Sequence, residues 1–161
     1  MLSVAQQKKN FDAMRADGEI AIASEFSLVI DDREDMTLYF KEFPVPIINP
    51  EDEIEVTLQG GQKTGTTAIA RTHFKGSCSL IDNVYGKAIK FINSLSMERT
   101  VDKRPTVDAT IYHGTPENYT QKFRIKSLRL FGFDPFQADT ENQTAVVLNG
   151  QCSYSYFNEK E

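Results

Sequence analysis

The feature that most constrains this chain is a two-residue alternation of apolar and polar side chains, which recurs from residue 24 onward. It is clearest over residues 53–59, where Ile54, Val56 and Leu58 alternate with polar neighbours. Successive side chains of a β-strand point to opposite faces of the sheet, so this period predicts strands with one buried face. We therefore expect a mainly β (α+β) fold.

Seven segments carry this pattern or the β-branched and aromatic composition of strands. They are residues 24–31, 36–42, 53–59, 68–75, 107–113, 119–131 and 143–157. The first two flank a short polar connection and predict a hairpin. Gly60 and Gly61 open a predicted loop that runs to about Thr67. The last segment is so long that it predicts a bend or a bulge at Gly150.

Two segments have helical character. Residues 82–97 show the three- and four-residue spacing of an amphipathic helix, with Asp82 as the expected N-cap. Residues 3–17 carry only a thin apolar stripe before Gly18, which is typical of an arm that docks on another subunit or stays loose.

The length of 161 residues fits one domain with a substantial core. We expect an N-terminal helical arm over residues 1–20 and a single domain over residues 21–161. The predicted domain is an antiparallel β-sandwich or barrel of about seven strands, covered on one side by one packed amphipathic helix.

The balance of charge excludes some partners. The chain has 23 acidic and 18 basic side chains, for a net charge of −5. Tight binding of nucleic acid is disfavoured because an acidic protein repels phosphates. No apolar run is long enough to span a membrane, and the first residues lack an apolar core of signal-peptide length. We therefore expect a soluble intracellular protein without a membrane partner.

No constellation of catalytic or metal-binding residues is recognisable. The two histidines, His73 and His113, lie in predicted strands, and no G-x-S-x-G turn occurs. Cys78 and Cys152 have no Cys or His neighbour at zinc-ligand spacing, so buried thiols are favoured, with a disulfide across adjacent strands left open. We predict no enzyme activity, no metal and no cofactor.

Three further patterns partly resemble ligand-binding motifs but have simpler interpretations. Residues 60–67 have Gly, Lys and Thr in the wrong order for a phosphate-binding loop. The acids at residues 31–35 lack the glycine and final glutamate of a calcium loop, which favours a solvated turn. The basic and aromatic residues over 122–136 favour a solvated or intersubunit face over a base-stacking platform.

The order of these elements resembles that of the tail tube proteins of contractile-tailed bacteriophages, over about residues 24–157. The resemblance is carried by several segments in order. They are Phe26–Ile30 (FSLVI), residues 40–46 (FKEFPVP), Gly60-Gly61, the helix at 82–97, residues 125–133 (IKSLRLFGF), the acidic stretch 139–141 and the closing strand that ends at Tyr154–Phe157 (YSYF).

The resemblance implies a structural protein whose hexameric rings stack into a tube, the channel for DNA ejection. Its implied partners are further copies of itself, the tail sheath, baseplate proteins, and double-stranded DNA that passes through without specific binding. The implied location is the tail of a virion, assembled in the host cytoplasm. The length of the N-terminal helix, the implied arm across a subunit boundary, indicates a specialised ring such as a baseplate tube initiator.

The resemblance also implies positions for the channel and the ring contacts. The candidate lumen-facing residues are Glu53, Glu55, Thr57, Gln59, Asn149, Gln151, Ser153 and Ser155. The candidate inter-ring loop comprises Gly60, Gly61, Gln62, Lys63, Thr64 and Gly65, with the proline-rich connector 43–50 beside it. An acidic lumen would let phosphates slide rather than bind.

Two other functions compete with this one. A type VI secretion tube protein would share the ring but deliver proteins instead of DNA. A small closed barrel that binds an apolar ligand, as a lipocalin does, would be a monomer with a saturable site.

Overall fold

The computed structural model describes residues 2–159 and contains two α-helices and eight strands in that range. The helices are α1 (Val4–Asp17) and α2 (Lys87–Met97). The strands are β1 (Phe26–Ile30), β2 (Phe40–Glu42), β3 (Glu53–Thr57), β4 (Lys63–Thr67), β5 (His73–Ile81), β6 (Val107–Gly114), β7 (Tyr119–Phe131) and β8 (Val147–Ser155).

Six of the strands form one antiparallel sheet in the order β1-β6-β7-β8-β5-β2. This sheet curls into a nearly closed barrel, with β1 and β2 at its two edges. Strands β3 and β4 form a separate two-stranded sheet. The expectation of a mainly β, barrel-like fold with a helix packed on it and a helix at the N-terminus is confirmed.

The core fills the concave face of the six-stranded sheet. Helix α2 covers part of this face and contributes Ala88 and Phe91, both almost fully buried. The core cluster consists of Leu28, Ile30, Met36, Phe40, Phe74, Cys78, Leu80, Ala88, Phe91, Ala109, Ile111, Ile125, Leu128, Leu148, Cys152, Tyr154 and Tyr156. Burying each of the larger side chains stabilises the fold by about 1.5–3 kcal/mol.

The pairing of β5 with β8 is regular along its whole length, from His73 opposite Ser155 to Ile81 opposite Val147. The predicted bend or bulge at Gly150 is therefore wrong. A Cβ atom at Gly150 would lie 2.6 Å from the ring of Phe133, so the glycine is needed for the close approach of that ring. The strand is also shorter than predicted, since residues 143–146 precede it as a loop.

The irregularity lies in β7 instead. Its register against β8 shifts between Lys126 and Arg129, and Ser127 between them has a φ of 55°. Strand β7 changes partner at this point. Because β6 begins at Val107, opposite Leu128, residues 129–131 pair with β8 alone and have an open edge on the other side.

The predicted hairpin between residues 24–31 and 36–42 is wrong. Strand β1 pairs with β6, and β2 pairs with β5. Residues Glu34–Tyr39 form a 3-10 helix, which buries Met36 completely and leaves Leu38 90% exposed. Met36 and Leu38, which alternate with polar residues in the sequence, therefore do not lie on one face of a strand.

The predicted loop over residues 60–67 is also wrong. Gly60 and Gly61 form a tight turn with φ values of 83° and 81°, and Lys63–Thr67 pairs with β3 as strand β4. The strand predicted at 68–75 begins only at His73. Strand β4 was missed because its threonines show no apolar alternation, which is the pattern that predicts a strand with one buried face. Its partner β3 is exposed as well, so neither face of β4 is buried.

Helix α2 begins at Lys87, later than predicted. Its N-cap is Gly86, which has a left-handed backbone, so the assignment of Asp82 as N-cap is wrong. The carboxylate of Asp82 nevertheless accepts a hydrogen bond from the N–H of Ala88 at 3.0 Å, and thereby satisfies a donor in the first turn.

Helix α1 lies close to its predicted range and starts with a capping box between Ser3 and Gln6. None of its residues is buried, and Phe11 and Met14 remain about half exposed. No helix within residues 2–159 has the length and apolarity to cross a membrane.

Candidate assembly surfaces

The first surface is the hairpin, defined here as β3, β4 and the turn between them. Ile54, Val56 and Leu58 lie on one face of the hairpin with exposed fractions of 51%, 41% and 45%. An isolated two-stranded hairpin is marginally stable in water, and an uncovered apolar face adds to the exposed apolar area. The three side chains form an apolar stripe suited to burial against another protein surface.

The other face of the hairpin is acidic and polar. It carries Glu53, Glu55 and Thr57, which were predicted to face a lumen. Glu55 forms an exposed ion pair with Lys63 of the opposite strand at 3.1 Å. Gly65 lies directly beneath the carboxylate of Glu53, which occupies the space that a side chain at position 65 would need.

The second surface is the convex face of β5 and β8, which we call the polar face. Asn149, Gln151, Ser153 and Ser155 project from β8 on this side, and Asn149 accepts a hydrogen bond from Ser79 of β5 at 2.8 Å. Asn149 and Gln151 are exposed and Ser155 is half-buried, whereas Ser153 is only 7% exposed. Ser153 is therefore poorly placed to line a channel.

The predicted lumen residues belong to two separate sheets, and their place in a channel stays a prediction. Glu53, Glu55 and Thr57 lie on the hairpin and Gln59 in its turn, outside the sheet that contains Asn149–Ser155. The six residues predicted for the inter-ring loop do cluster, at the turn and the start of β4. They are Gly60, Gly61, Gln62, Lys63, Thr64 and Gly65. Their contact with a neighbouring ring stays a prediction.

The third surface is a groove beside the open edge of β7, which we call the basic groove. It holds about 490 Å³ and is lined by Arg99, Arg104 and Arg129 together with apolar side chains. Within residues 2–159 none of these three guanidinium groups forms an ion pair. The apolar wall comprises Leu95, Pro105, Leu128, Leu130 and Phe131.

Sequence reasoning missed this groove. It grouped Arg129 with the basic and aromatic residues over 122–136 and assigned no role to Arg99 or Arg104. The structure separates that run, since Arg124 donates to Asp31 at 2.8 Å and Lys126 lies 2.8 Å from Glu159. Only the end of α2 and the change of partner in β7 bring the three arginines together.

Several carboxylates are engaged within the chain. The hydrogen bond from Arg124 holds the pKa of Asp31 below its usual value. The hydrogen bond from Lys87, at 2.8 Å, does the same for the pKa of Asp35. These two acids stabilise the subunit rather than remaining available to a partner.

The two cysteines are buried, free thiols in adjacent strands. Cys78 lies opposite Gly150 and Cys152 opposite Gly76, which makes the cysteines diagonal neighbours on the core face. The hydrogen bond to Cys152 and burial raise the pKa of Cys78. A buried thiol with a raised pKa is a weak nucleophile at neutral pH, because the thiolate is the reactive form.

His113 connects three parts of the chain. Its Nε2 atom lies 2.9 Å from the carboxylate of Glu25, its Nδ1 atom contacts the hydroxyl of Thr120, and its ring stacks on Phe26. These contacts join the start of β1 to the β6–β7 turn. No cluster of three or more metal-ligating side chains occurs in the described part of the chain.

No protein-family model matches this chain, and neither does any curated protein. Solved structures do match. A chain of the extended PVC sheath–tube complex, an extracellular contractile injection system, aligns with a TM-score of 0.61 and 14% identity over 89% of this chain and 93% of its own.

Two further structures align equally well. The PVC sheath/tube terminator has a TM-score of 0.62 and 14% identity, over 86% of this chain and 95% of its own. The tube-terminating cap of the anti-feeding prophage has the same TM-score and identity, over 86% and 93%. The resemblance to tube proteins is confirmed at the level of the fold: this chain has the fold found in the tube and tube-terminator assemblies of contractile injection systems.

Proposed function

We propose that this chain is a structural subunit whose hexameric rings form or terminate the tube of a contractile, tail-like particle. The observation that carries the proposal is the uncovered apolar stripe of the hairpin, Ile54, Val56 and Leu58, on a subunit with the fold of such assemblies. A neighbouring subunit would bury this stripe and stabilise the hairpin.

The edges of the main sheet support assembly as well. Strands β1 and β2 each have one side without a partner strand in the six-stranded sheet. Exposed strand edges promote association, and copies arranged head to tail around an axis extend one another's sheets into a closed ring. Helix α1, which has no buried residue, is suited to reach across a subunit boundary in such a ring.

The polar face is our candidate for the channel lining. Asn149 and Gln151 are exposed there, and the opposite strand contributes Ser77 and Lys75. Neutral amides and hydroxyls keep water at a surface. Asn149→Asp with Gln151→Glu would test this position by altering passage of cargo without preventing assembly.

A tube that conducts double-stranded DNA in a phage virion is the form implied by the sequence, with sheath and baseplate proteins as partners. A tube that delivers protein is the second candidate. One observation favours the second: Glu53 and Glu55, the predicted acidic lining, lie on the hairpin, while the polar face carries a lysine, Lys75. The matched structures include an extracellular injection system.

The test of the proposed function is the assembly state of the full chain. Sedimentation velocity over a range of concentrations, followed by negative-stain electron microscopy, is expected to give six-membered rings and stacked tubes. Nuclease treatment of particles purified from the native source would separate a DNA conduit from a protein conduit. A strict monomer at high concentration would contradict the proposal and favour a small ligand-binding barrel.

A further inference from the structure

We propose that the basic groove of one copy receives strand β3 of a second copy, with the arginines pairing Glu53 and Glu55. The inference rests on the proposed function, because it names the acceptor for the hairpin. It adds a specific contact between two surfaces that lie apart in one subunit.

The groove offers backbone groups to a strand. Residues 129–131 of β7 pair with β8 on one side, while β6 has not yet begun on the other side. An open strand edge forms main-chain hydrogen bonds with an added strand, and side-chain pockets then select its sequence. The occupant predicted by this geometry is an extended segment.

The groove also selects for negative charge. Arg99, Arg104 and Arg129 line it in a chain whose net charge is −5, and no carboxylate within residues 2–159 pairs with any of them. Guanidinium groups bind carboxylates with two parallel hydrogen bonds when geometry allows. The occupant should therefore carry at least two carboxylates.

The wall of the groove requires apolar side chains in the same segment. Leu130 and Phe131 follow Arg129 directly on the open edge, and Leu95 of α2 also lines the groove. Because neighbouring residues of a strand point to opposite faces, Leu130 lies on one face of this edge, and Arg129 and Phe131 lie on the other. An acidic strand with alternating apolar residues complements both sides.

Strand β3 has this sequence, since Glu53 and Glu55 alternate with Ile54 and Val56. It pairs with β4 alone, so its outer edge is free to join another strand. Glu53 has no ion-pair partner within the described residues, and Glu55 has only the exposed contact with Lys63.

The other acidic segments fit less well. Asp31 and Asp35 are held by Arg124 and Lys87 in the same subunit. Asp139 accepts hydrogen bonds from the Glu141 backbone and from Asn142, and its neighbours lack the apolar alternation. A contact between two different surfaces of identical copies is head-to-tail, the kind that closes rings or propagates along a filament.

The experiment is a charge exchange in the full chain. Arg104→Glu or Glu53→Arg alone should weaken self-association at least tenfold, as measured by sedimentation velocity, because each creates a like-charge contact. The combined variant should recover most of the wild-type affinity. Lys103→Glu and Glu117→Lys, exposed residues outside the groove and the hairpin, provide matched controls that should assemble normally.

Each outcome decides the inference. Loss in both single variants and recovery in the double variant supports it. If the wild type assembles and the Arg104→Glu variant assembles equally well, the contact between the groove and β3 is overturned, but the proposed function is not. The groove would then be available to an acidic segment of another protein. A monomeric wild type overturns both. Circular dichroism checks folding, and Arg129→Ala replaces any charge-reversal variant that fails to fold.

Discussion

The six-stranded sheet and the hairpin both alternate apolar and polar side chains, but they differ in how far the apolar side chains are buried. On the sheet, Leu28, Ile111 and Ile125 are almost fully buried, in the core cluster to which α2 contributes Ala88 and Phe91. On the hairpin, Ile54 and Val56 have the same chemistry and stay about half exposed. One region completes its core within the subunit, and the other leaves its apolar side chains exposed.

This difference separates stability from assembly. A substitution in the sheet should lower the free energy of unfolding of the single subunit. A substitution in the hairpin should leave it unchanged and affect association. Variants in the sheet and variants in the hairpin therefore test the two effects separately. Unfolding is measured under conditions in which the protein stays monomeric, because association would add to the apparent stability.

The largest effect is expected for Phe91→Ala in α2. The ring is 2% exposed and lies in the core beneath the helix, so its removal should lower the free energy of unfolding by about 3–5 kcal/mol. Urea denaturation followed by circular dichroism measures the change. Met97→Ala, at an exposed position of the same helix, is the control, and a loss below about 1 kcal/mol for Phe91→Ala would show that α2 does not seal the core.

Gly150→Ala should cost about 1–3 kcal/mol, because the new methyl group would overlap the ring of Phe133. The double variant Gly150→Ala with Phe133→Ala provides the control, since it removes the clash. We expect the double variant to lose less than the sum of the two single variants. Additive losses would mean that strand geometry rather than the ring requires glycine.

Asp31→Asn should cost up to about 1 kcal/mol at neutral pH, because the ion pair with Arg124 is partly exposed. The pKa of Asp31 is lowered in the folded state, so its stabilisation is present above the unfolded pKa and is lost as pH falls through the folded pKa. Wild type and variant should therefore converge once the pH falls below the folded-state pKa of Asp31, which lies below its ordinary value.

The neighbouring Asp32→Asn is the control for that measurement. Asp32 has a φ of 61°, which asparagine also tolerates. Denaturant titrations at neutral and acidic pH compare both variants with the wild type. A constant difference between Asp31→Asn and wild type at all pH values would contradict the role of the ion pair.

The smallest effect on unfolding is expected for Ile54→Ser combined with Val56→Ser. The free energy of unfolding should change by less than about 0.5 kcal/mol, because both side chains are exposed in the subunit. Assembly should be lost, as measured by sedimentation velocity. Thr57→Ala on the opposite face should assemble normally, and normal assembly of the serine variant would remove the main support for the proposed function.

The parts of the fold that follow from local pattern could be predicted from the sequence. The bounds of β7 were predicted at Tyr119 and Phe131, and β6 and α1 were close to their observed ranges. Continuous periodicity and clear turn residues suffice for such elements. Strand β4 could also have been found, because β-branched threonines follow Gly60-Gly61 at the spacing of a hairpin.

The rest depends on distant pairings. Nothing local indicates that β1 joins β6 or that Cys78 and Cys152 become diagonal neighbours. The basic groove needs Arg99 and Arg129 together, which requires both the path of the chain after α2 and the bulge at Ser127. The predicted lumen residues belong to two sheets for the same reason: the sequence pattern indicates which side chains of a strand share a face, but not which sheet the strand joins.

The position of β8 in the sheet order has a consequence for the timing of synthesis. Strand β8 is the last strand along the chain, yet it lies between β7 and β5 and joins the two halves of the sheet. A nascent chain can form the hairpin from neighbouring residues well before β8 leaves the ribosome, whereas the barrel must wait for it. In the proposed assembly the hairpin is thus synthesised before the groove that would receive it, so growing chains on one messenger present no completed groove to one another.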